Sequence, residues 1–325
     1  MACVSVNSSR IGRTSVVPRG DLQVVRRTKV FSHSMAHVFD GILSWMPSRL
    51  QQIRAVHRLA ASLGRAPSPK RWIFIIGCYN SGATLLNEIL ASHPDIAGLS
   101  CEGVALTDAL PRPEEEGWTR MWHACYESMC IDPDRADLAR RAKRQWSLFF
   151  PTGSENLVEK SIANATRILF LQAHFRPAYF IYLVRDGYAV AEGIRRKAEP
   201  GRWGNSDFDD QYPIDLCARQ WKHSDGVVSN ARPDTKRFLS IRYEDLTADP
   251  EHELARITDF LDIAPLPGEV TSRTWGAHGY DEPIRNMNPR SYRRLSTRDM
   301  DQIETEASET LAKYGYRRPK SRKES

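Results

Sequence analysis

The chain reads as an α/β fold in which helices cover both faces of a central parallel sheet, and three observations carry that expectation. Trp72-Ile73-Phe74-Ile75-Ile76 is a continuous apolar run without alternation, as in a strand buried on both faces. The run ends at Gly77, and a helical stripe of Leu85, Leu86, Ile89 and Leu90 follows, closed by Ser92-His93-Pro94. Further strand candidates then alternate with helical patterns, the order from which parallel sheets are built.

Residues 1–37 are rich in Arg and Ser and poor in acids, without the apolar core of a secretory signal, so a disordered extension is expected. A transit peptide, or a true start at Met35, is equally compatible with them. Residues 38–66 predict a helical segment broken near Pro47, with apolar Ile42, Leu43, Trp45, Met46, Leu50, Ile53, Val56 and Leu59. Such a stripe more often packs on a domain or partner than on a membrane. One domain over 67–316 follows Ala66-Pro67-Ser68-Pro69. After the Trp72 strand, Asp95 to Leu99 is a short second strand. Residues 111–150, charged and carrying Trp118, Trp122 and Trp146, are expected to be inserted helices covering an acceptor site. Leu157-Val158-Glu159, Tyr179 to Val184 and Phe238 to Tyr243 are the remaining strands. Ala163 to Phe175 has helical period through Ile168, Leu169, Leu171 and Phe175. Asp249-Pro250 opens a helix with Leu254, Ile257 and Leu261, and Ser296-Thr297 opens the last, with Met300, Ile303, Ala307 and Leu311 on a stripe and Gly315 as its stop. A basic tail, 317–325, closes the chain.

At 325 residues and 41% hydrophobic content, one substantial core is expected. No apolar run approaches the roughly 20 residues that span a bilayer, so no integral membrane segment is expected and the cytoplasm is the expected location. The net charge of +6 is spread along the chain instead of forming an aromatic-interleaved face. Nucleic acid is therefore not an expected partner; an anionic nucleotide accounts for several of the cations. Six cysteines and nine histidines show no metal-ligand spacing, and no metal is expected. The cysteine pattern favours a reducing compartment, with a Cys125–Cys130 bridge as the alternative in a secreted relative.

The strand-to-helix turn holds the most chemistry. Backbone N–H groups there lack carbonyl partners and point outward at the positive end of a helix dipole, which suits an anion. Gly77 and Gly82 let the backbone approach it, and Ser81 and Thr84 add hydroxyl donors. A nucleotide triphosphatase needs Lys and then Ser or Thr after the second glycine of Gly77-x4-Gly82; this chain has Ala83-Thr84. A metal-independent nucleotide with one 5′-phosphate group fits better.

These residues resemble the 5′-phosphosulfate loop of sulfotransferases that use 3′-phosphoadenosine 5′-phosphosulfate (PAPS), and in particular the branch containing protein-tyrosine sulfotransferases and bacterial family-3-type enzymes. The resemblance implies a three-layer P-loop-like fold and transfer of the sulfuryl group from PAPS to a hydroxyl acceptor. Gly77, Asn80, Ser81, Gly82, Ala83, Thr84 and Leu85 would cradle the 5′ end. Two positions depart from the pattern: Tyr79 stands where Pro is usual, and Asn80 where a basic residue is usual. By the same resemblance Glu102 is the base and Lys160 sits by the bridging oxygen. Arg185, in Val184-Arg185-Asp186-Gly187, would grip the 3′-phosphate. The usual helper Ser is replaced by Gly193, with Arg196 or Lys197 to restore the contact. Tyr243 would approach the adenine, and Asn288 and Arg294 belong to a loop closing over the nucleotide, in which Gly279 replaces a Ser and Arg285 a Lys. The order of these segments, over about residues 70 to 316, makes the resemblance specific. Sugar, phenol, lipid, metabolite and protein tyrosine all fit as acceptor. Two other readings stay open: a PAPS-binding or regulatory protein of weak activity, suggested by Asn80, Gly193 and Gly279, and a P-loop small-molecule kinase.

Overall fold

The computed structural model describes residues 53–151, 155–276 and 282–320. The expected N-terminal extension, the first part of the helical segment, Gly279 and the end of the basic tail lie outside them. Five parallel strands form one sheet in the order β2-β3-β1-β4-β5: β1 Arg71–Gly77, β2 Ile96–Gly98, β3 Asn156–Glu159, β4 Ala178–Val184 and β5 Phe238–Arg242. The α/β expectation and all five strands are met. Central β1 pairs with β3 through Trp72 and Leu157 and with β4 through Gly77 and Leu183. Ile73 to Ile76 are fully buried, as the unbroken apolar run requires. Because every strand is parallel, all five C-terminal ends open on one edge, where ligands of such sheets bind.

The helices are α1 Arg54–Leu63, α2 Ala83–Ala91, α3 Tyr126–Met129, α4 Ala136–Ser147, α5 Ile168–His174, α6 Gly187–Lys197, α7 Ile214–Ala231, α8 Tyr243–Ala248, α9 Pro250–Leu261, α10 Asn288–Tyr292 and α11 Thr297–Lys313. Beneath the sheet Trp72 packs edge-on against Phe175 at 5.0 Å between ring centres, and Trp146 and Phe150 complete the cluster. No described helix is long and apolar enough to cross a membrane.

Several expectations need correction. The segment 111–150 is only partly the inserted helices expected: α3 and α4 are helical, and the rest is loop with two short 3-10 turns, Pro113–Glu116 and Trp122–Cys125. The stretch expected as one helix over 163–175 is a 3-10 turn, Ile162–Arg167, followed by α5, and it buries Phe170 where the period had suggested Leu169. Tyr243 begins α8 instead of ending β5. In α1 the buried face is His57 and Ala60, and Leu59 of the expected stripe is 50% exposed. Long α7 had no sequence signal, since Gln220, Ser224 and Asp225 share its buried face with Cys217, Trp221 and Val228. Cys125 and Cys130, like the other described cysteines, are free thiols.

The cap expectations hold. Asp249 accepts from His252 N at the start of α9, and Ser296 forms a capping box with Asp299 at the start of α11. Ser296 Oγ accepts from Asp299 N at 3.1 Å, and the Asp299 carboxylate accepts from Ser296 N at 2.8 Å. Ser296→Ala is expected to cost about 1 kcal/mol in urea unfolding; an unchanged midpoint would show that the box contributes nothing.

Candidate active site

Two clefts open at the C-terminal edge of the sheet, the first against the loop between β1 and α2 and the second along α2. The first is lined by Asn80, Gly82, Leu85, Arg185, Lys197, Tyr243 and Arg294, among others. The second, of about 520 Å³, is bordered by Thr84, Asn87, Glu88, Ser100, Cys101 and Lys160. The loop itself needs two left-handed residues, Asn80 (φ 66°) and Gly82 (φ 96°). A β-carbon on Gly82 would fall 2.8 Å from the Tyr243 ring, so both its backbone angle and its crowding exclude a side chain. Gly77 ends β1 and Ala83 opens α2. Between them the buried Ser81 hydroxyl has no hydrogen-bond partner among the described residues. A buried hydroxyl without a partner is costly, and an oxyanion in the turn would satisfy it.

Arg185 leaves the end of β4 and is buried. Its Nε donates to Asn288 Oδ1 at 2.7 Å, its Nη1 donates to the Asn80 carbonyl at 2.7 Å, and its guanidinium lies 4.1 Å above the Tyr243 ring. The next residue, Asp186, caps α6 by accepting from Tyr188 N and Ala189 N. Tyr243 is held through its hydroxyl, which donates to Arg285 O and accepts from Met287 N, each at 3.0 Å. The loop before α10 is thereby tied to the end of β5. Arg294 donates to Arg290 O at 3.2 Å and lies 3.9 Å from Glu192. Lys197, at the end of α6, donates to Asn80 Oδ1 at 2.9 Å. Burial, with Arg120, Arg196 and Arg185 nearby, pushes this lysine down to about 7. Gly193 lies directly against the Asn80 amide.

Beside the second cleft, Glu102 and Lys160 form an ion pair at 2.9 Å, their side chains 33% and 13% exposed. Glu159 is the acid next to Lys160 in the sequence. Glu159 instead points into the core, where it accepts from Gly103 N at 2.8 Å and from Ser161 Oγ and Asn164 Nδ2. Ser161 Oγ in turn accepts from Val104 N at 3.1 Å. The turn that carries Glu102 is thus bolted to the strand end that carries Lys160. Sequence reasoning missed this support and also Glu244, which accepts from Asp186 N and Asn288 Nδ2. Both acids adjoin a residue that was picked out, Lys160 and Tyr243, and adjacency was the only available signal.

The sequence model of the Sulfotransferase family matches residues 72–267, well over half of the chain. The chain belongs to the Sulfotransferase family. Two curated nematode relatives agree: one from Caenorhabditis briggsae, 24% identical over 196 residues, and protein-tyrosine sulfotransferase A of Caenorhabditis elegans, 25% identical over 208. Each match takes in 59% of this chain, which spans 65% and 50% of the lengths of those relatives. Among solved structures, the sulfotransferase domain from the curacin biosynthetic pathway is 21% identical, with 78% of this chain and 100% of that one covered and a TM-score of 0.47. Mouse sulfotransferase SULT7A1 complexed with PAP is 14% identical, with 81% and 90% covered and a TM-score of 0.46. In this family member the loop, Arg185, Tyr243, Lys197 and Arg294 converge on one cleft, with Asn288 buried behind Arg185, and Glu102 and Lys160 pair beside the other.

The Glu159 environment gives a pH test. Burial pushes its carboxyl from 4.5 up to about 7. The folded state therefore holds its proton to higher pH than the unfolded state does. The stability this contributes is fully present below about 4.5 and is lost as pH rises through about 7, on the order of 3 kcal/mol. Urea unfolding at pH 5 and pH 8 is expected to show a smaller decline for Glu159→Gln than for the wild type. Equal declines would mean that Glu159 does not titrate in this range.

Proposed function

We propose that this chain transfers the sulfuryl group of PAPS to a hydroxyl-bearing acceptor. The observation that carries the reading is the convergence of the β1–α2 turn, through Asn80 and Gly82, and the Arg185 guanidinium on a single cleft floored by Tyr243, with the Ser81 hydroxyl buried in that turn and without a partner among the described residues. A bisphosphorylated adenosine needs one anion site at each end and an aromatic contact between them. The turn amides and Ser81 serve the 5′ end, Arg185 with Asn288 the 3′-phosphate, Tyr243 the adenine, and Arg294 closes the cleft. The second cleft admits the acceptor, bordered as it is by Lys160 and by Cys101 beside Glu102.

The chemistry is an in-line displacement at sulfur. The acceptor oxygen forms the new S–O bond as the bond from sulfur to the bridging oxygen of the donor breaks, and the nucleotide leaves with that electron pair. Glu102 takes the acceptor's proton, and Lys160 offsets the charge gathering on the leaving oxygen. Glu159 and Ser161 hold the mounts of both groups. A sugar, phenol, lipid or metabolite hydroxyl meets these requirements, and the name of the Caenorhabditis elegans relative adds a protein tyrosine.

Two measurements test the reading. In thermal shift, 3′,5′-ADP at a hundredfold excess over its Kd is expected to stabilise the protein by roughly 3 kcal/mol, with ADP, or ATP with magnesium, far less effective at equal concentration; a preference for ATP with magnesium would overturn the donor assignment. For Glu102→Gln, transfer of radiolabelled sulfuryl groups is expected to drop by about 100-fold or more while the Kd for 3′,5′-ADP stays within a few fold. A variant turning over at the wild-type rate would remove Glu102 from the mechanism.

A further inference from the structure

Between Gly77 and Ala83 the phosphate loop contains no basic residue. A loop meant for a highly charged 5′ group then needs its cation from elsewhere. The Lys197 ammonium lines the same cleft, at the far end of α6, and its hydrogen bond to Asn80 Oδ1 at 2.9 Å joins it to the loop. Asn80 also accepts from Arg185 through its backbone carbonyl. One residue therefore holds both cations, one by its side chain and one by its main chain.

What keeps the Asn80 amide in place is a hollow in α6. A β-carbon built on Gly193 would lie 1.2 Å from Asn80 Nδ2 and 2.4 Å from Cγ, so the amide occupies the volume that any side chain at 193 would fill. With φ at 66°, the Asn80 backbone turns the side chain towards that hollow, and asparagine tolerates the left-handed region better than most residues. We propose that Asn80, seated in the hollow over Gly193, is a positioning residue that fixes the Lys197 ammonium in the donor cleft, so that Lys197 supplies the positive charge the phosphate loop lacks. This rests on the reading of the cleft as the site of a bisphosphorylated adenosine. On this view two of the positions that depart from the family pattern, Asn80 and Gly193, are one matched pair.

The surroundings of Lys197 add a consequence. Arg120 from the segment before the Trp122–Cys125 turn, Arg185 from the end of β4 and Arg196 from α6 itself are the cations that act on it most, Glu192 on α6 acts against them, and Arg285, Arg290, Arg294 and Glu282 line the same cleft. Burial and these cations favour the neutral amine in the free protein, whereas a nucleotide anion favours the ammonium. Donor binding is then coupled to uptake of a proton by Lys197.

The test is calorimetric titration of the full chain with 3′,5′-ADP in buffers of different ionisation enthalpy, with circular dichroism to confirm that each variant is folded. Wild type at pH 8 is expected to take up roughly one proton on binding, and Lys197→Met to take up none and to bind about tenfold or more weaker. Asn80→Ala is expected to weaken binding similarly, and the double variant Asn80→Ala/Lys197→Met to be no worse than Lys197→Met alone. Gly193→Ala is expected to weaken binding in the wild-type background, because the amide must swing out, and to have no effect once Asn80 is Ala. A wild type that does not bind 3′,5′-ADP would overturn the donor reading itself. Binding by the wild type without proton uptake, or Asn80→Ala within about twofold of it, or a Gly193→Ala effect of the same size in both backgrounds, would overturn the latch alone.

Discussion

The contact between Gly82 and the Tyr243 ring is the constraint around which the site is arranged. It brings the end of β1 against the end of β5, two strands away across β4, and only a residue without a side chain permits the approach. Arg185, at the end of the intervening β4, lies over that same ring. Three strand ends are thereby locked around one aromatic group, and the turn amides, the guanidinium and the aromatic ring keep their spacing before any ligand arrives. Preorganisation of this kind matters for charge transfer, because dipoles already in place need no reorganisation as charge moves.

Such an arrangement buries charge, and the molecule answers with acceptors placed behind the site. Glu244 takes hydrogen bonds from Asp186 N, Asn288 Nδ2 and Tyr316 OH, so the cap of α6, the start of α10 and the chain beyond α11 share one carboxylate. Beside the second cleft Glu159 plays the corresponding part for the Glu102 turn and the Lys160 strand end. The Trp221 indole donates to the Arg185 carbonyl at 3.0 Å, which anchors the site to α7 as well. Each cleft is held by a carboxylate outside its lining, and losing one would loosen several elements together.

The sequence made legible what depends on apolar periodicity. The strands β1 and β4 are unbroken apolar runs because both sheet faces are covered, and α9 and α11 have a clean stripe with a cap residue at the start. Long α7 was not legible, because three polar residues, Gln220, Ser224 and Asp225, interrupt its buried face, and distant partners help to satisfy them, as where Gln220 accepts from His123 N. The site residues were legible as segments in a familiar order, but their partnerships were not. Glu102 and Lys160 are 58 positions apart, and nothing local to either says that they touch. Asn80 and Gly193 looked like two separate losses until the fold brought one into the hollow of the other. Single-residue comparison with a pattern scores each position alone, whereas packing compensates in pairs.

The Glu102–Lys160 pair raises a last question of geometry, since at 2.9 Å the two groups proposed as base and as cation occupy each other. The in-line transfer proposed above puts them at different points of the reaction path, one at the acceptor hydroxyl and one at the leaving oxygen, so on that proposal the pair opens when both substrates are in place. Partial exposure makes that inexpensive: ion pairs reached by water contribute about 1 kcal/mol or less. The backbone supports do not need to move, because Glu159 and Ser161 fix the turn and strand end from the buried side while the two side chains extend towards the clefts. The pair is therefore best understood as a resting clasp. It neutralises two charges in the free protein and lets them separate along flexible side chains, while the rigid elements keep their mounts in place.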